Sequence, residues 1–435
     1  MELEFKKFGI NGEGIAYYGK KTVFCPGVLP GETAEVRITE ENPSFLRAEP
    51  VRIIKTSPKR RRSRLSAEER CEGCSLALLS YPEQLRVKKQ LLAETLWKYG
   101  HVRSHFIRDV HASPHRSHYR TACKLPVHDF HGQLVNGMYE PGTNHFQVIK
   151  EFGTHTPALE KERMRTLEIL NRHHMKSFDN NGGHGIRYLV IRTLQDQTQI
   201  TLVTGKDALP DAMIRELCGD DDQRAVFQSI NDRKKSNAVF GTPAKLLGGP
   251  VSLCAVIENV RIRLAPEAFF QLNTELAAEL YRTAIAKVDS CGRLVEAYCG
   301  AGAMSLLAAD KAGEVIGIEN VREAVVNATE NARLNKVDNA RFLCADAAEG
   351  LQRLNREKPV DTLLVDPPRS GLDDAMIEAI MNSDIRKIIY VSCNPATLGK
   401  NLRILKQRYQ VRTVIPFDMF PQTPHIESIT VLERA

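Results

Sequence analysis

A cysteine near the C-terminal end of the chain follows an apolar run, in the segment Val391-Ser392-Cys393-Asn394-Pro395. The thiolate form of cysteine is a nucleophile, and a helix that begins just after it would favour that form. Free cysteines are usually buried and inert, so Cys393 taken alone would be structural. The residues that the fold brings to it decide between these two interpretations.

Two carboxylates stand at equivalent places, each at an end of an apolar run. Asp366 opens Asp366-Pro367-Pro368-Arg369-Ser370-Gly371, where two prolines fix the loop and remove two backbone donors. Glu427 begins the last strand-like run, where it is either a base or an ordinary surface residue. Ligands bind at the carboxyl ends of parallel strands, so we expect Asp366 and Cys393 to share one crevice. A rigid turn without catalytic function would use the same residues in the Asp366 loop.

A glycine-rich turn follows a third apolar run, in Tyr298-Cys299-Gly300-Ala301-Gly302. Such glycines let a ligand approach the backbone at a helix N-terminus. Glu319 ends the next predicted strand, where a carboxylate can hold two ribose hydroxyls. Ser305 replaces the third glycine of the dinucleotide-binding pattern, which favours a nucleoside without a pyrophosphate, such as S-adenosylmethionine. A purely structural tight turn is the alternative.

The elements that must position these residues follow a regular pattern from about residue 265. Short apolar runs alternate with amphipathic stretches, which predicts βαβ units and a parallel sheet covered on both faces. The last two apolar runs leave no room for a helix between them and predict an antiparallel pair. The predicted strands are 294–296, 315–319, 341–344, 362–366, 387–392, 411–416 and 426–432, and the predicted helices are 303–311, 321–335, 374–382 and 396–408.

The first 55 residues contain short alternating runs between turn signals, which predict a small β-barrel. A basic run follows, Lys59-Arg60-Arg61-Arg62-Ser63-Arg64, which is either a solvated linker or an arm that contacts phosphates. Leucines on one face, Pro82 and Gly100 predict a helix over 81–100. Between 118 and 260 the pattern is mixed, with strand-like runs at 124–127, 187–192 and 199–204.

Composition sets broad limits on this chain of 435 residues, whose length suggests two or three domains. It has no run of 18 apolar residues and no basic segment followed by an apolar one at the N-terminus, so we expect neither a membrane span nor a secretory signal. Ten scattered cysteines predict a reducing compartment, and we expect a cytoplasmic protein. The net charge of +7 is a mild bias.

Taken together, the motifs resemble one family, the RNA uracil-5-methyltransferases that make 5-methyluridine. The N-terminal segment that includes Gly12-Glu13-Gly14-Ile15-Ala16 is similar to the TRAM domain, a small RNA-binding β-barrel. The matching motifs, in chain order, are Phe269-Phe270-Gln271-Leu272-Asn273, Tyr298-Cys299-Gly300-Ala301-Gly302, Asp366-Pro367-Pro368-Arg369, Ser392-Cys393-Asn394-Pro395 and His425-Ile426-Glu427.

The resemblance implies an α/β fold in three domains. Residues 1–57 would form the TRAM barrel, which is OB-like, and 58–264 a mixed α+β central domain that binds RNA. Residues 265–435 would form a Rossmann-like methyltransferase sheet that uses S-adenosylmethionine. We expect a monomer whose partner is RNA and which does not bind a membrane.

The resemblance also implies roles for single residues. Attack of a thiolate on carbon 6 of uracil makes carbon 5 able to accept a methyl group, and Cys393 matches that nucleophile. Glu427 matches the base that then removes the carbon-5 proton. Cofactor-binding positions are matched by Gln271, Tyr298, Glu319 and Asp366, with Asp346 near the adenine. The charge of the basic run, and not the resemblance, makes Lys59, Arg60, Arg61, Arg62 and Arg64 the predicted RNA contacts.

Two departures and several alternatives accompany this interpretation. Many relatives bind a four-iron, four-sulfur cluster, but here Leu65 occupies the first ligand position and only Cys71 and Cys74 remain, so we expect remnants and not an intact cluster. Glu296 stands where relatives more often carry aspartate.

Family members with a TRAM domain mostly act on large-subunit ribosomal RNA, so 23S rRNA is the expected substrate and tRNA the alternative. The nearest rival reaction is that of an adenine or cytosine methyltransferase, and a more distant alternative is a non-catalytic RNA-binding or folding factor.

Overall fold

The computed structural model describes residues 1–61, 74–139, 144–220, 222–234 and 238–435. Three residues of interest from the sequence, Arg62, Arg64 and Cys71, lie outside these ranges. The chain forms two compact units, the first made of Met1–Arg116, Ala286–Val288 and Leu351–Ala435 and the second of Ser117–Ile285 and Asp289–Gly350.

Strands and helices of the described residues are numbered here in chain order. The strands are Glu2–Glu4 (β1), Lys7–Phe8 (β2), Gly14–Tyr18 (β3), Lys21–Cys25 (β4), Thr33–Glu41 (β5), Phe45–Lys55 (β6), Ala122–Phe130 (β7), Gln133–Tyr139 (β8), Phe146–Val148 (β9), Ile186–Leu194 (β10), Gln197–Thr204 (β11), Arg224–Ile230 (β12), Lys245–Gly248 (β13), Leu253–Ile257 (β14), Val260–Leu264 (β15), Cys291–Ala297 (β16), Ala312–Glu319 (β17), Ala340–Cys344 (β18), Thr362–Val365 (β19), Lys387–Ser392 (β20), Tyr409–Phe417 (β21) and Glu427–Arg434 (β22). The helices are Tyr81–Gly100 (α1), Pro157–Arg172 (α2), Asp211–Cys218 (α3), Thr274–Ile285 (α4), Ala303–Leu307 (α5), Arg322–Leu334 (α6), Ala347–Glu357 (α7), Asp374–Met381 (α8) and Pro395–Leu405 (α9).

The N-terminal sheet of the first unit has the strand order β1-β5-β6-β4-β3-β2 within the described residues. Alternate residues of β5, such as Ala34 and Val36, point into a core that also holds Phe5 and Val23. This alternation is what the period of two along a strand requires when one face is buried. The strands predicted around 22–24 and 34–38 are confirmed as parts of β4 and β5.

Helix α1 is confirmed with the predicted bounds, and Pro82 lies in its first turn. The left-handed residue that ends it is His101, with a φ of 50°, and not Gly100. Gly100 has a different reason to be glycine, because a Cβ there would lie 2.8 Å from the carbonyl oxygen of Gly399 on α9. The glycine therefore allows two helices of the first unit to approach closely.

The first unit also carries the C-terminal strands, in the order β19-β20-β22-β21. Strands β19 and β20 are parallel, whereas β22 runs antiparallel to both β20 and β21. The predicted terminal antiparallel pair is thereby confirmed. Buried residues such as Leu364, Ile389 and Ile429 fill these strands, as expected for a sheet that is covered on both faces.

The second unit contains a sheet with the order β13-β12-β11-β10-β7-β8-β9 among the described residues. Residues Leu125, Leu189 and Ile200 of this sheet share a core with Leu159 of α2 and Met213 of α3. The strand-like runs at 124–127, 187–192 and 199–204 are confirmed within β7, β10 and β11. A separate hairpin is formed by β14 and β15.

Parallel strands β16, β17 and β18 belong to the same unit, with β17 between the other two. The helix predicted over 303–311 is divided into α5 and a short 3-10 turn at Ala309–Lys311. The Asn339 amide donates to the carbonyl oxygens of Ala309 and Ala312, 2.9 Å each, which holds the backbone in this tighter form. Alternation of parallel strands and helices confirms the α/β class. Within the described residues, no helix combines the length and apolar character needed to cross a membrane.

Candidate functional site

Three strand ends of the first unit bring a thiol and two carboxyl groups together. Val365 pairs with Tyr390 in the parallel β19–β20 register, and Asp366 follows directly. Ser392 pairs with Ser428 in the antiparallel β20–β22 register, so Cys393 follows one strand where Glu427 begins the other. The sequence placed these residues at strand ends, and the register makes them neighbours.

The three groups are exposed to different degrees, which suits a site that a nucleobase can enter. Cys393 and Asp366 are partly exposed. Glu427 is only 4% exposed. The sulfur is therefore not sealed inside the core, while the glutamate lies in a desolvated place.

Each of these groups holds its proton more tightly than usual. The pKa of the Cys393 thiol is raised to about 11, first by burial and then by the charges of Glu427 and Asp366, against a lowering by Arg369. Burial raises the pKa of Asp366 to about 7. The pKa of Glu427 is raised well above its usual range by burial and by the Asp366 charge, while Arg369 lowers it. Such perturbed groups in one place are typical of active sites.

A helix begins just after Cys393, as the sequence predicted, but the pKa of the Cys393 thiol is raised and not lowered. Helix α9 does begin at Pro395, and Asn394 caps it by accepting a hydrogen bond from the Ala396 amide at 3.1 Å. Burial and the charges of Glu427 and Asp366 together raise the pKa of Cys393 and so oppose its ionisation.

The Asp366 loop is hydrogen-bonded to residues at the beginning of α9. The carbonyl oxygen of Arg369 accepts a hydrogen bond from the side-chain amide of Asn394, at 2.9 Å, and another from the Thr397 hydroxyl, at 3.2 Å. Gly371 has a φ of +78°, and a Cβ there would lie 2.6 Å from Asn401 Oδ1. Nucleophile and Asp366 loop are thus held by one small network of backbone and side-chain bonds.

Arg369 belongs to the site, although the sequence predicted no role for it beyond its place in the Asp366 motif. Its exposed guanidinium lowers the pKa of both Cys393 and Glu427. The signal in the sequence was its place directly after two prolines, which fix the loop that presents it.

In the second unit, the glycine-rich turn and Glu319 form a cradle of backbone donors around a carboxylate. Glu319 accepts from the Gly300 amide at 3.1 Å and from the Val321 amide at 3.0 Å. Gly300 has a φ of +52°, and the space where its Cβ would stand is open to at least 4 Å. A ligand can therefore approach the backbone there, as the sequence predicted.

The rest of this turn is tightly packed. Tyr298 has a positive φ of 65°, and a Cβ on Gly302 would lie 2.8 Å from the Phe342 ring. The Ser305 hydroxyl donates to the buried carboxylate of Glu296. Ser305, which stands at the position of the third glycine, is thus hydrogen-bonded to Glu296, which stands where relatives more often carry aspartate. The open face at Gly300 and the ordered Glu319 carboxylate fit the nucleoside part of S-adenosylmethionine.

The other two predicted cofactor residues of the second unit lie at helix beginnings. Gln271 is buried and precedes α4, in a segment that Arg192 holds through the Ala268 carbonyl at 2.6 Å. Asp346 is exposed and caps α7 by accepting from the Ala348 amide at 2.9 Å. A role of Asp346 near the adenine stays a prediction.

The described part of the basic run makes internal contacts. Arg60 donates to both carboxylate oxygens of Glu32, at 2.7 and 2.6 Å, and to the Gly27 carbonyl. Lys59 forms an ion pair with Glu83 at 2.5 Å. Glu32 is fully buried, so Arg60 has a structural role in the first unit. RNA contact by Lys59, Arg60 and Arg61 stays a prediction.

The remaining cysteine of the predicted remnant, Cys74, is buried. Within the ranges that the structure describes, no group of three or more His, Cys, Asp or Glu side chains is arranged to hold a metal ion. The described residues therefore supply no ligand set for an iron–sulfur cluster.

Comparisons with known proteins agree with this architecture. The sequence model of the tRNA (uracil-5-)-methyltransferase family matches residues 80–435, and that of the TRAM domain matches residues 1–51. A protein of Lactobacillus johnsonii named as an uncharacterized RNA methyltransferase is 34% identical over 99% of this chain and 96% of its own length. A protein of Bacillus cereus with the same name is 31% identical, again over 99% of this chain and 96% of the relative.

A solved structure shares the fold along nearly the whole chain. It is the Pyrococcus abyssi tRNA (uracil-54, C5)-methyltransferase in complex with S-adenosyl-L-homocysteine, at 23% identity and a TM-score of 0.78, covering 99% of this chain and 100% of that one. The family match over most of the chain and relatives above 30% identity lead to one conclusion. The chain belongs to the tRNA (uracil-5-)-methyltransferase family, S-adenosylmethionine-dependent enzymes that methylate carbon 5 of uracil in RNA.

Proposed function

We propose that this enzyme methylates its uridine through a covalent adduct between Cys393 and the uracil ring. The observation that supports this most directly is the β20–β22 register, in which Ser392 faces Ser428 and Cys393 and Glu427 become neighbours. A nucleophile and a base beside each other are what addition to a pyrimidine ring, followed by elimination, requires.

In the first step the Cys393 sulfur bonds to carbon 6 of uracil. The electron pair of the carbon 5–carbon 6 double bond moves toward carbon 5 and the carbon-4 oxygen, giving an enolate. The thiol proton must leave for this attack, and the carboxylate of Asp366, with a pKa of about 7, is an acceptor in the same place. The Arg369 charge assists by lowering the pKa of Cys393.

In the second step carbon 5 of the enolate accepts a methyl group, which S-adenosylmethionine supplies when bound, with its sulfur–methyl bond broken and S-adenosylhomocysteine as the leaving group. Glu427 then removes the proton from carbon 5, the double bond forms again, and the Cys393 thiolate leaves carbon 6. The raised pKa of Glu427 makes its carboxylate a stronger base than an ordinary glutamate. Gln271, Tyr298, Glu319, Asp346 and Asp366 are our proposed cofactor-binding residues.

For the RNA we propose a uridine of 23S rRNA, with tRNA as the second candidate. The TRAM domain supports the first, since family members with this domain mostly act on large-subunit rRNA. The Pyrococcus abyssi structural neighbour is named as a tRNA enzyme, but at 23% identity its likeness concerns the fold alone. In either RNA the target base must leave its stack to reach Cys393, which costs a few kcal/mol and is easiest in a loop.

The test is methyl transfer to unmodified 23S rRNA and to unmodified tRNA, read as 5-methyluridine by mass spectrometry of nucleosides. We expect the wild type to modify one of the two, and Cys393→Ala to lose more than about 100-fold of that activity. Cys254→Ala is the matched control, because Cys254 is a partly exposed cysteine of the β14–β15 hairpin. Equal incorporation by Cys393→Ala and wild type would exclude the adduct, and RNA binding without methylation would favour a folding factor.

A further inference from the structure

The segment that leads into Glu427, residues 418–426, is held by one buried lysine of helix α1. Lys88 is fully buried, and its ammonium group donates to the Asp418 carboxylate and to the carbonyl oxygens of Phe420, at 2.9 Å, and His425, at 2.8 Å. A lysine has three donors, and all three are used here. The last of these bonds lies two residues before Glu427.

A second side chain of α1 holds the middle of the same segment. Gln84 and Gln422 bond reciprocally, with Gln84 Nε2 donating to Gln422 Oε1 at 2.8 Å and Gln422 N donating to Gln84 Oε1 at 3.1 Å. Gln422 has a φ of +70°, which is unfavourable for a residue with a side chain. The bonds from α1 hold this backbone together with two others, in which Leu76 N donates to the Gln422 carbonyl at 2.9 Å and Gln422 Nε2 donates to the Arg116 carbonyl at 3.2 Å.

The other end of α1 contacts the helix that begins after Cys393. Gly100 and Gly399 approach so closely that a Cβ on Gly100 would lie 3.2 Å from the Gly399 Cα. Lys406, the residue that caps the C-terminal end of α9, donates to the carbonyl oxygens of Gly100, the last residue of α1, at 3.2 Å and of His101, its C-cap, at 2.9 Å. One rigid element thus contacts both the segment before Glu427 and the helix after Cys393.

We propose that helix α1 is a brace that fixes Glu427 relative to Cys393, and that Lys88 is a positioning residue for removal of the carbon-5 proton. This inference rests on the proposed roles of Cys393 and Glu427. Attack on carbon 6 and acceptance of the methyl group do not involve Glu427, whereas elimination needs its carboxylate within hydrogen-bond reach of carbon 5. Loss of the brace therefore slows the release of the adduct more than its formation.

The informative variant removes both members of the buried ion pair. Lys88→Met alone would leave the Asp418 carboxylate buried and uncompensated, which is strongly destabilising. Lys88→Met with Asp418→Asn removes both charges and also removes the bonds to Phe420 and His425. The matched control is Lys89→Met, because Lys89 is the next residue of α1 and forms an exposed ion pair with Asp109.

The experiment is a single turnover with excess enzyme and the RNA that the wild type modifies, in which covalent adduct and free 5-methyluridine are followed on a denaturing gel and by mass spectrometry. We expect Lys88→Met/Asp418→Asn to form adduct within about threefold of the wild-type rate and to release product about 10- to 100-fold more slowly, so that adduct accumulates. Lys89→Met should match the wild type.

Gln84→Met is a second variant that removes the reciprocal amide bonds without leaving a charge unpaired, and it should accumulate adduct in the same way if the double variant does not fold. Adduct and product in folded Lys88 or Gln84 variants at the levels of Lys89→Met would overturn the brace, as would an equal slowing of both steps. A wild type that yields neither adduct nor 5-methyluridine would instead overturn the proposed function.

Discussion

Ser392 of β20 lies directly opposite Ser428 of β22 in an antiparallel register. The residue that follows the first serine, Cys393, and the residue that precedes the second, Glu427, therefore occupy the same end of the strand pair. Their proximity has an electrostatic effect, because the charge of the Glu427 carboxylate raises the pKa of Cys393.

Glu427→Gln should trap a protein–RNA adduct. Addition by Cys393 and methylation do not need the Glu427 carboxylate, but elimination does, and glutamine is too weak a base to replace it. A band shifted on a denaturing gel, sensitive to ribonuclease and dependent on Cys393, is the expected result. Glu378→Gln on the exposed face of α8 is the control and should show no accumulation. Absence of the shifted band with Glu427→Gln would contradict its role as the base.

Alkylation of Cys393 by iodoacetamide should accelerate with pH. The thiolate is the reactive form, and with a pKa of about 11 its fraction rises about tenfold for each pH unit between 7 and 9. Peptide mass spectrometry distinguishes Cys393 from the other cysteines. A rate that levels off near pH 7 would show that the thiol ionises far more readily than its surroundings indicate.

Charge substitutions should shift this alkylation profile in known directions. Asp366→Asn removes a negative charge that raises the pKa of Cys393, and Asp366, with a pKa of about 7, is mostly ionised at pH 8, so this variant should speed alkylation there. Arg369→Gln removes a charge that lowers that pKa and should slow it. Opposite shifts for Asp366→Asn and Arg369→Gln are a combination that a general loss of structure does not produce.

Gly371→Ala should impair the enzyme through its contact with Asn401 and not through its φ alone. Gly371 and Gly132 share a φ of +78°, but a Cβ on Gly371 would lie 2.6 Å from Asn401 Oδ1, whereas none of the neighbours considered lies within 4 Å at Gly132. Both alanines bear about 1–2 kcal/mol of backbone strain. We expect Gly371→Ala to lose activity and additional thermal stability, and Gly132→Ala to keep activity. Equal effects of the two substitutions would contradict the packing argument.

Arg60→Met should lower the stability of the folded protein, and any effect on RNA binding should be secondary to that loss. It leaves the fully buried Glu32 carboxylate without the guanidinium that bonds both of its oxygens, which costs about 3–5 kcal/mol. Thermal denaturation should show a lowered midpoint, and Arg60→Met with Glu32→Gln should recover part of it. No change in the midpoint would contradict a structural role for this ion pair.

Neutralising the exposed Lys59 together with Arg61 should weaken RNA binding uniformly across sequences. Each phosphate contact that is lost lowers the slope of log affinity against log salt by about one. Filter binding at several salt concentrations measures this slope. An unchanged slope would make this part of the basic run a linker without phosphate contacts.

Sequence patterns predicted much of the fold because they report local physics. The bounds of α1 follow from a periodic apolar face with Pro82 at its beginning, and both hold in the structure. The closing antiparallel strands β21 and β22 follow from two apolar runs too close together for a helix. Turn chemistry and periodicity are properties of neighbouring residues, so a single chain segment is enough to reveal them.

By itself the sequence determined which residues can carry the chemistry: a cysteine and two carboxylates at strand ends, and a glycine-rich turn followed by Glu319. Only the tertiary structure decided that Ser392 faces Ser428, that the Cys393 thiol is hard to ionise, and that Lys88 reaches the segment before Glu427. Strand register, desolvation and buried ion pairs arise from segments far apart in the chain, and no local pattern records which of them will meet.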